Sequence, residues 1–130
     1  MTLHQAIQAY PKARFNPILL AGLNGQDEEA FQTCVTFLEG VEKTKGQNRS
    51  HDSYGYKHIV ENPTGYFDIP WSLDCYSTYI PEGVFILAAL ASDFTMQPIR
   101  VSAKFNISER SLRRRAKEFA RVMAQKQLSR

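Results

Sequence analysis

Along the chain, one long stretch carries its apolar residues on a single helical face and another is apolar throughout. A third alternates apolar with polar, and a fourth is polar but for a narrow seam. From residue 27 to about 43, Ala30, Phe31, Cys34, Val35, Phe37, Leu38 and Val41 fall on one side of a helical wheel, with Glu28, Gln32, Thr36, Glu39 and Lys43 on the other. This is the pattern of an amphipathic helix, and Asp27, Glu28 and Glu29 place negative charge in its first turn, where the helix dipole favours it. Residues 84–91 are apolar on every face, after Pro81 at a helix start and Glu82 at its positive end, which predicts a buried central helix. Residues 101–107 (VSAKFNI) alternate without a break, a period that favours a half-buried strand over a helix. Phe94 and Met96 alternate too, so a hairpin is predicted across 94–107. Ser108, Glu109 and Ser111 then form a capping environment for a long polar helix. Leu112, Ala116, Phe119 and Met123 give that helix its seam.

The connecting segments read from their breakers. Residues 1–10 predict a short helix stopped by Pro11, and Asn16-Pro17 with Gly22, Asn24 and Gly25 mark a loop around the apolar patch Ile18 to Leu20. The polar, basic run 44–52 is an exposed loop. Ser53 is placed to cap a short helix through Tyr54, Lys57, His58 and Glu61, ended by Asn62-Pro63 with Gly65 completing the turn. Residues 66–79 are aromatic-rich and irregular, with Pro70 interrupting any strand, and are expected to wrap the core. The expected fold is therefore a mainly α-helical (α+β) single domain over 1–130, with a short β-hairpin before a long basic C-terminal helix.

Composition limits the classes. With 130 residues, 43% of them hydrophobic, roughly two-thirds of the unfolded chain's surface can be buried, so no metal or staple is needed. Two cysteines, Cys34 and Cys75, make no disulfide framework, and no cysteine or histidine cluster has zinc spacing. Cys34 lies in the apolar arc of its helix, as a small buried hydrophobe does. The longest apolar run is far shorter than the roughly 20 residues a membrane span needs. The first residues lack the apolar core of a secretion signal. A cytoplasmic protein with no membrane partner and no cofactor is expected.

The charge is divided more sharply than its net value of +3 suggests. Residues 99–130 carry ten cations and two anions, whereas the first 98 residues carry six cations and eleven anions. Such asymmetry points to a nucleic-acid or acidic-partner surface; a basic helix that only keeps the protein soluble is the plain alternative. On a wheel starting at Leu112, residues Arg110, Arg113, Arg114, Lys117 and Arg121 fall between about 100° and 200°, opposite the seam. Arginine forks in such a stripe suit phosphate oxygens and guanine edges of DNA. Lys43, Lys45, Arg49 and Lys57 with Tyr54 and Tyr56 offer an auxiliary basic and aromatic surface.

Two resemblances bear on function. In VSAKFNISERSLRRRAKEF, residues Val101, Ser102, Phe105, Asn106, Ile107, Ser108 and Leu112 fit the apolar, small, turn and serine positions of a helix-turn-helix. The run thus resembles that motif in bacterial regulators, including the arabinose-activator class, with Asn106 in the usual glycine place. The resemblance implies a recognition helix over 108–119 and requires Val101 to Phe105 to be helical. A hairpin there would instead resemble a winged arrangement. The order NR, SYGYKHIVE, YIPEGVFILAAL and FNIS across roughly residues 48–108 resembles small uncharacterised proteins of phages, plasmids and integrative elements. Ser92-Asp93-Phe94 stands where those have a Gly-Phe step. A mobile-element setting implies either a DNA-binding accessory protein or a small inhibitor of host defence, anti-CRISPR-like, that docks on a host defence protein or nucleic-acid–protein complex.

Tyr54, Lys57, His58 and Glu61 sit at neighbouring helical spacings with His51 nearby. No second carboxylate cluster, glycine-rich phosphate loop or nucleophile elbow accompanies them, so a capped helix with tyrosines on the core is preferred to a catalytic site. The leading expectation is non-enzymatic DNA binding through the C-terminal helix. The rival is defence inhibition by docking; a homodimer paired through the Leu112, Ala116, Phe119, Met123 seam is a further possibility, with packing of that seam on the protein's own core preferred.

Overall fold

The computed structural model describes residues 1–20, 25–63 and 79–128. Helix α1 (Leu3–Ala9) begins in a capping box, with the Thr2 hydroxyl accepting from the Gln5 N–H and the Gln5 side chain accepting from the Thr2 N–H. Pro11 ends it. Two 3-10 turns follow, Pro11–Phe15 and Pro17–Leu20, the second within the stretch predicted as a loop. Each opens on a proline, whose fixed φ suits a first helical position. Asn16 between them is only 1% exposed, and its side-chain oxygen accepts from the Ile18 N–H at 3.0 Å. That local bond holds together what composition alone reads as loop.

Helix α2 (Gly25–Glu39) buries Ala30, Phe31, Cys34, Phe37 and Leu38, as its pattern predicts, but stops at Glu39 rather than near residue 43. Gly40 follows its last residue, and a distant arginine closes the open end. Arg115 donates from Nε to the Phe37 carbonyl at 2.9 Å and from Nη2 to the Thr36 carbonyl at 2.6 Å, satisfying carbonyls that a helix end leaves open. Gly40 admits the guanidinium, since a Cβ there would lie 2.7 Å from Arg115 Cδ and Nε. Burial, with Glu61 adding a lesser push, raises the pKa of the Cys34 thiol above its ordinary value.

Helix α3 (Ser53–Glu61) is capped by Asp52, which accepts from the Gly55 N–H at 3.0 Å; Ser53, expected to be the cap, is its first helical residue and is buried. The helix ends before Asn62-Pro63 as predicted. Of the aromatic segment 66–79, only Tyr79 falls within the described residues, where it is exposed. Helix α4 (Glu82–Ala91) is buried from Glu82 through Leu90 and packs against α1, α2 and α3. It is the central helix that its uniform apolarity predicts. It closes in a Schellman motif, with Phe94 N–H bonded to Ala89 O and Asp93 N–H to Leu90 O, both at 3.0 Å. Asp93 takes the left-handed position at φ 67°, where glycine is commoner.

Strands β1 (Met96–Ile99) and β2 (Ser102–Phe105) form an antiparallel hairpin pairing Met96 with Phe105 and Ile99 with Ser102. Ala103 and Phe105 are buried in the core while Ser102 and Lys104 are half-buried, the alternation read from the sequence. The strand replaces the helix that the helix-turn-helix likeness requires over Val101 to Phe105. Phe105 meets Phe85 edge-on, and Phe85 stacks on Tyr56 at 5.4 Å.

Below the hairpin, the buried Glu82 carboxylate accepts from Ser53 Oγ at 2.6 Å, Ser102 Oγ at 2.7 Å and Asn16 Nδ2 at 3.3 Å. Ser53 Oγ in turn accepts from the Ala103 N–H at 2.9 Å. One acid thus fastens the 3-10 turns, α3, α4 and β2 together. Helix α5 (Glu109–Leu128) follows, with Ser108 Oγ accepting from the Ser111 N–H at 3.2 Å. Among the described residues no helix is long and apolar enough to cross a membrane.

Candidate nucleic-acid interface

The orientation of α5 follows from its seam. Leu112 and Ala116 are fully buried, Ala120 nearly so, and Phe119 meets Phe37 edge-on at 4.9 Å. Leu112, Ala116 and Phe119 are therefore engaged with the molecule's own core rather than open for pairing two copies; the Met123 side chain lies outside the described residues. Packing this seam inward turns the opposite face outward. Arg110, Arg113, Arg114, Lys117 and Arg121 are all exposed there, in a stripe about 16 Å long at 1.5 Å per residue.

The stripe is lightly countered. Arg113, 65% exposed, has its Nε 3.6 Å from Glu109, and Arg114, 54% exposed, reaches Glu42 at 3.5 Å. Exposed pairs of this kind contribute little and are screened by salt, so a phosphate can displace either carboxylate. Among the described residues neither Arg110 nor Arg121 has a carboxylate within ion-pair distance. Arg115 stands apart: it is drawn onto the end of α2, bonded to Glu118 at 2.8 Å and stacked 4.9 Å from the Phe119 ring.

The loop 44–52 extends this surface. The Thr44 N–H donates to Asn106 O and the Asn48 N–H to Phe105 O, both at 2.9 Å; the Ser108 N–H donates to Glu42 O at 2.9 Å, and Lys43 bridges Ile107. Asn48 Nδ2 donates to Glu109 at 3.0 Å, and His51 Nε2 lies 2.9 Å from the same carboxylate. The loop is thereby zipped to the start of α5, with Lys45 and Arg49 exposed along it. Lys104 Nζ donates to the Arg49 carbonyl at 2.9 Å. Nothing in the composition of 44–52 announces these anchors, because each joins residues about sixty positions apart.

The other auxiliary residues do not gather there. Lys57 is 5% exposed, with its Nζ 3.4 Å from Glu61 and 4.6 Å from the Tyr79 ring centroid. The lysine expected on a basic surface is half of a buried ion pair. Tyr54 is exposed and packs edge-on against His58, whose Nδ1 lies 3.0 Å from Glu61. Glu61 also accepts from the Ile80 N–H at 2.8 Å, which makes this cluster a clasp between α3 and the approach to α4. The described residues contain no group of acidic, histidine or cysteine side chains able to hold a metal ion. Comparison with family models, curated proteins and solved structures finds no match.

Proposed function

We propose that this protein binds duplex DNA without catalysing a reaction, through the outward face of α5 and the loop 44–52 beside it. The observation that carries the reading is the stripe of five exposed cations, held outward by the inward-packed seam of Leu112, Ala116 and Phe119. Arg110, Arg113, Arg114, Lys117 and Arg121 contact phosphate oxygens or base edges, and Lys45 and Arg49 add backbone contacts at the helix start. No aromatic side chain is exposed along the described stripe, and this favours a duplex backbone over single strands, whose bases need stacking platforms. The likeness of the SYGYKH and FILAAL segments to proteins of phages and plasmids supports an accessory role for a mobile element, acting in the cytoplasm.

A duplex titration at two salt concentrations tests the proposal. With five phosphate contacts, affinity falls several hundred-fold, roughly, between 50 and 200 mM salt. Arg113→Ala with Arg114→Ala removes most binding while leaving the circular dichroism spectrum unchanged, since both side chains are exposed. A protein without salt-dependent duplex affinity that instead co-purifies with a host defence complex overturns the reading in favour of inhibition by docking.

A further inference from the structure

Building on the duplex-binding reading, we propose that the tip of the β1–β2 hairpin is a second DNA contact, with Arg100 entering a minor groove and Ile99 and Val101 lying against its sugar walls. The strands are joined by Arg100 and Val101 alone, because Ile99 pairs with Ser102. Arg100 sits at φ 58°, a left-handed position that favours glycine or asparagine. Among the described residues it has no hydrogen-bond or ion-pair partner. The fold thus gains nothing from an arginine here and carries its backbone strain, a combination characteristic of functional positions.

Its neighbours are as unusual: Ile99 is 41% and Val101 49% exposed, two β-branched apolar side chains flanking one cation. The backbone beneath them is fixed. Buried Asn16 donates to the Val101 carbonyl at 2.6 Å, and Ser102 is tied to Glu82 at 2.7 Å. A rigid base with free side chains is preorganised for contact and loses little freedom on binding.

The chemistry of the tip suits the minor groove, whose narrow, acceptor-lined floor concentrates negative potential and attracts arginine, while apolar side chains fit its walls or wedge between base steps. Four strand residues carry the tip about 13 Å beyond Phe105, clear of the segment that leads into α5. One cation between two aliphatic side chains is too small a patch for a stable protein interface, and the basic segment it belongs to favours a polyanion.

The test titrates the wild type, Arg100→Gly, Ile99→Ser with Val101→Ser, and Arg113→Ala with Arg114→Ala against two short duplexes, one an A·T tract and one all G·C. The wild type is expected to prefer the A·T duplex. Arg100→Gly loses about tenfold on that duplex and much less on the other, with a melting temperature at or above wild type because glycine relieves the left-handed strain. The Ile99, Val101 variant narrows the same preference. If Arg100→Gly binds both duplexes like the wild type while the Arg113, Arg114 variant does not bind, the tip proposal is overturned and the α5 reading stands. If the wild type binds neither duplex, both fall.

Discussion

Glu82 and Glu109 each occupy the first turn of a helix and each gathers polar partners from distant segments, yet they sit in opposite surroundings. Glu82 is buried beneath the hairpin and satisfies three side-chain donors. Glu109 is part-exposed and shares its oxygens among Asn48, His51 and Arg113 at the edge of the basic face. A buried carboxylate that fails leaves donors stranded without water, whereas an exposed one is replaced by solvent. The first therefore secures the fold, and the second sets how the surface is held and how strongly it is countered.

Substitution at the two acids separates these roles. Glu82→Ala strands Ser53, Ser102 and Asn16 and is expected to remove about 3 kcal/mol of stability, measured by urea unfolding; a loss no greater than at Glu109 would erase the contrast. Arg115→Ala lies between the extremes, removing the cap on α2 and the contact with Phe119 at about 1–2 kcal/mol. Glu109→Gln should change stability by less than about 1 kcal/mol while raising duplex affinity about threefold at low salt, because Arg113 loses its carboxylate. Reduced affinity in that variant would mean that Glu109 orders the surface more than it opposes binding.

Cys34 gives the smallest effect. Burial raises its folded-state pKa, so the contribution of the protonated thiol is fully present below its unfolded value of about 8.5 and declines as pH rises beyond it. Native Cys34 should resist alkylation at neutral pH, as peptide mapping after thiol labelling would show, and react only on unfolding.

Elements whose causes lie within one helical turn or one strand were legible in the sequence. The apolar face of α2, the uniform apolarity of α4, the alternation of β2 and the seam of α5 each encode burial locally. The outward row from Arg110 to Arg121 followed from that seam. What escaped depends on partners remote in the chain. Arg115 caps the end of α2 from far along the chain, and Ser53 yields its own cap to Asp52 because its hydroxyl is engaged by Glu82 and Ala103. Lys57 looked like a surface cation because its burial comes from packing against Tyr79 as well as from Glu61 one turn on. The contribution of 44–52 was visible as charge, but its position beside α5 was not.

The zipper between residues 42–48 and 105–109 has a kinetic corollary. Its hydrogen bonds close a loop of about sixty residues that contains α3, α4 and the hairpin, and closures of that span wait until nearer neighbours have assembled. During refolding, helical signal should return first and the docking of residues 42–48 onto the start of α5 afterwards; under the proposed function, duplex affinity would recover only with that second step.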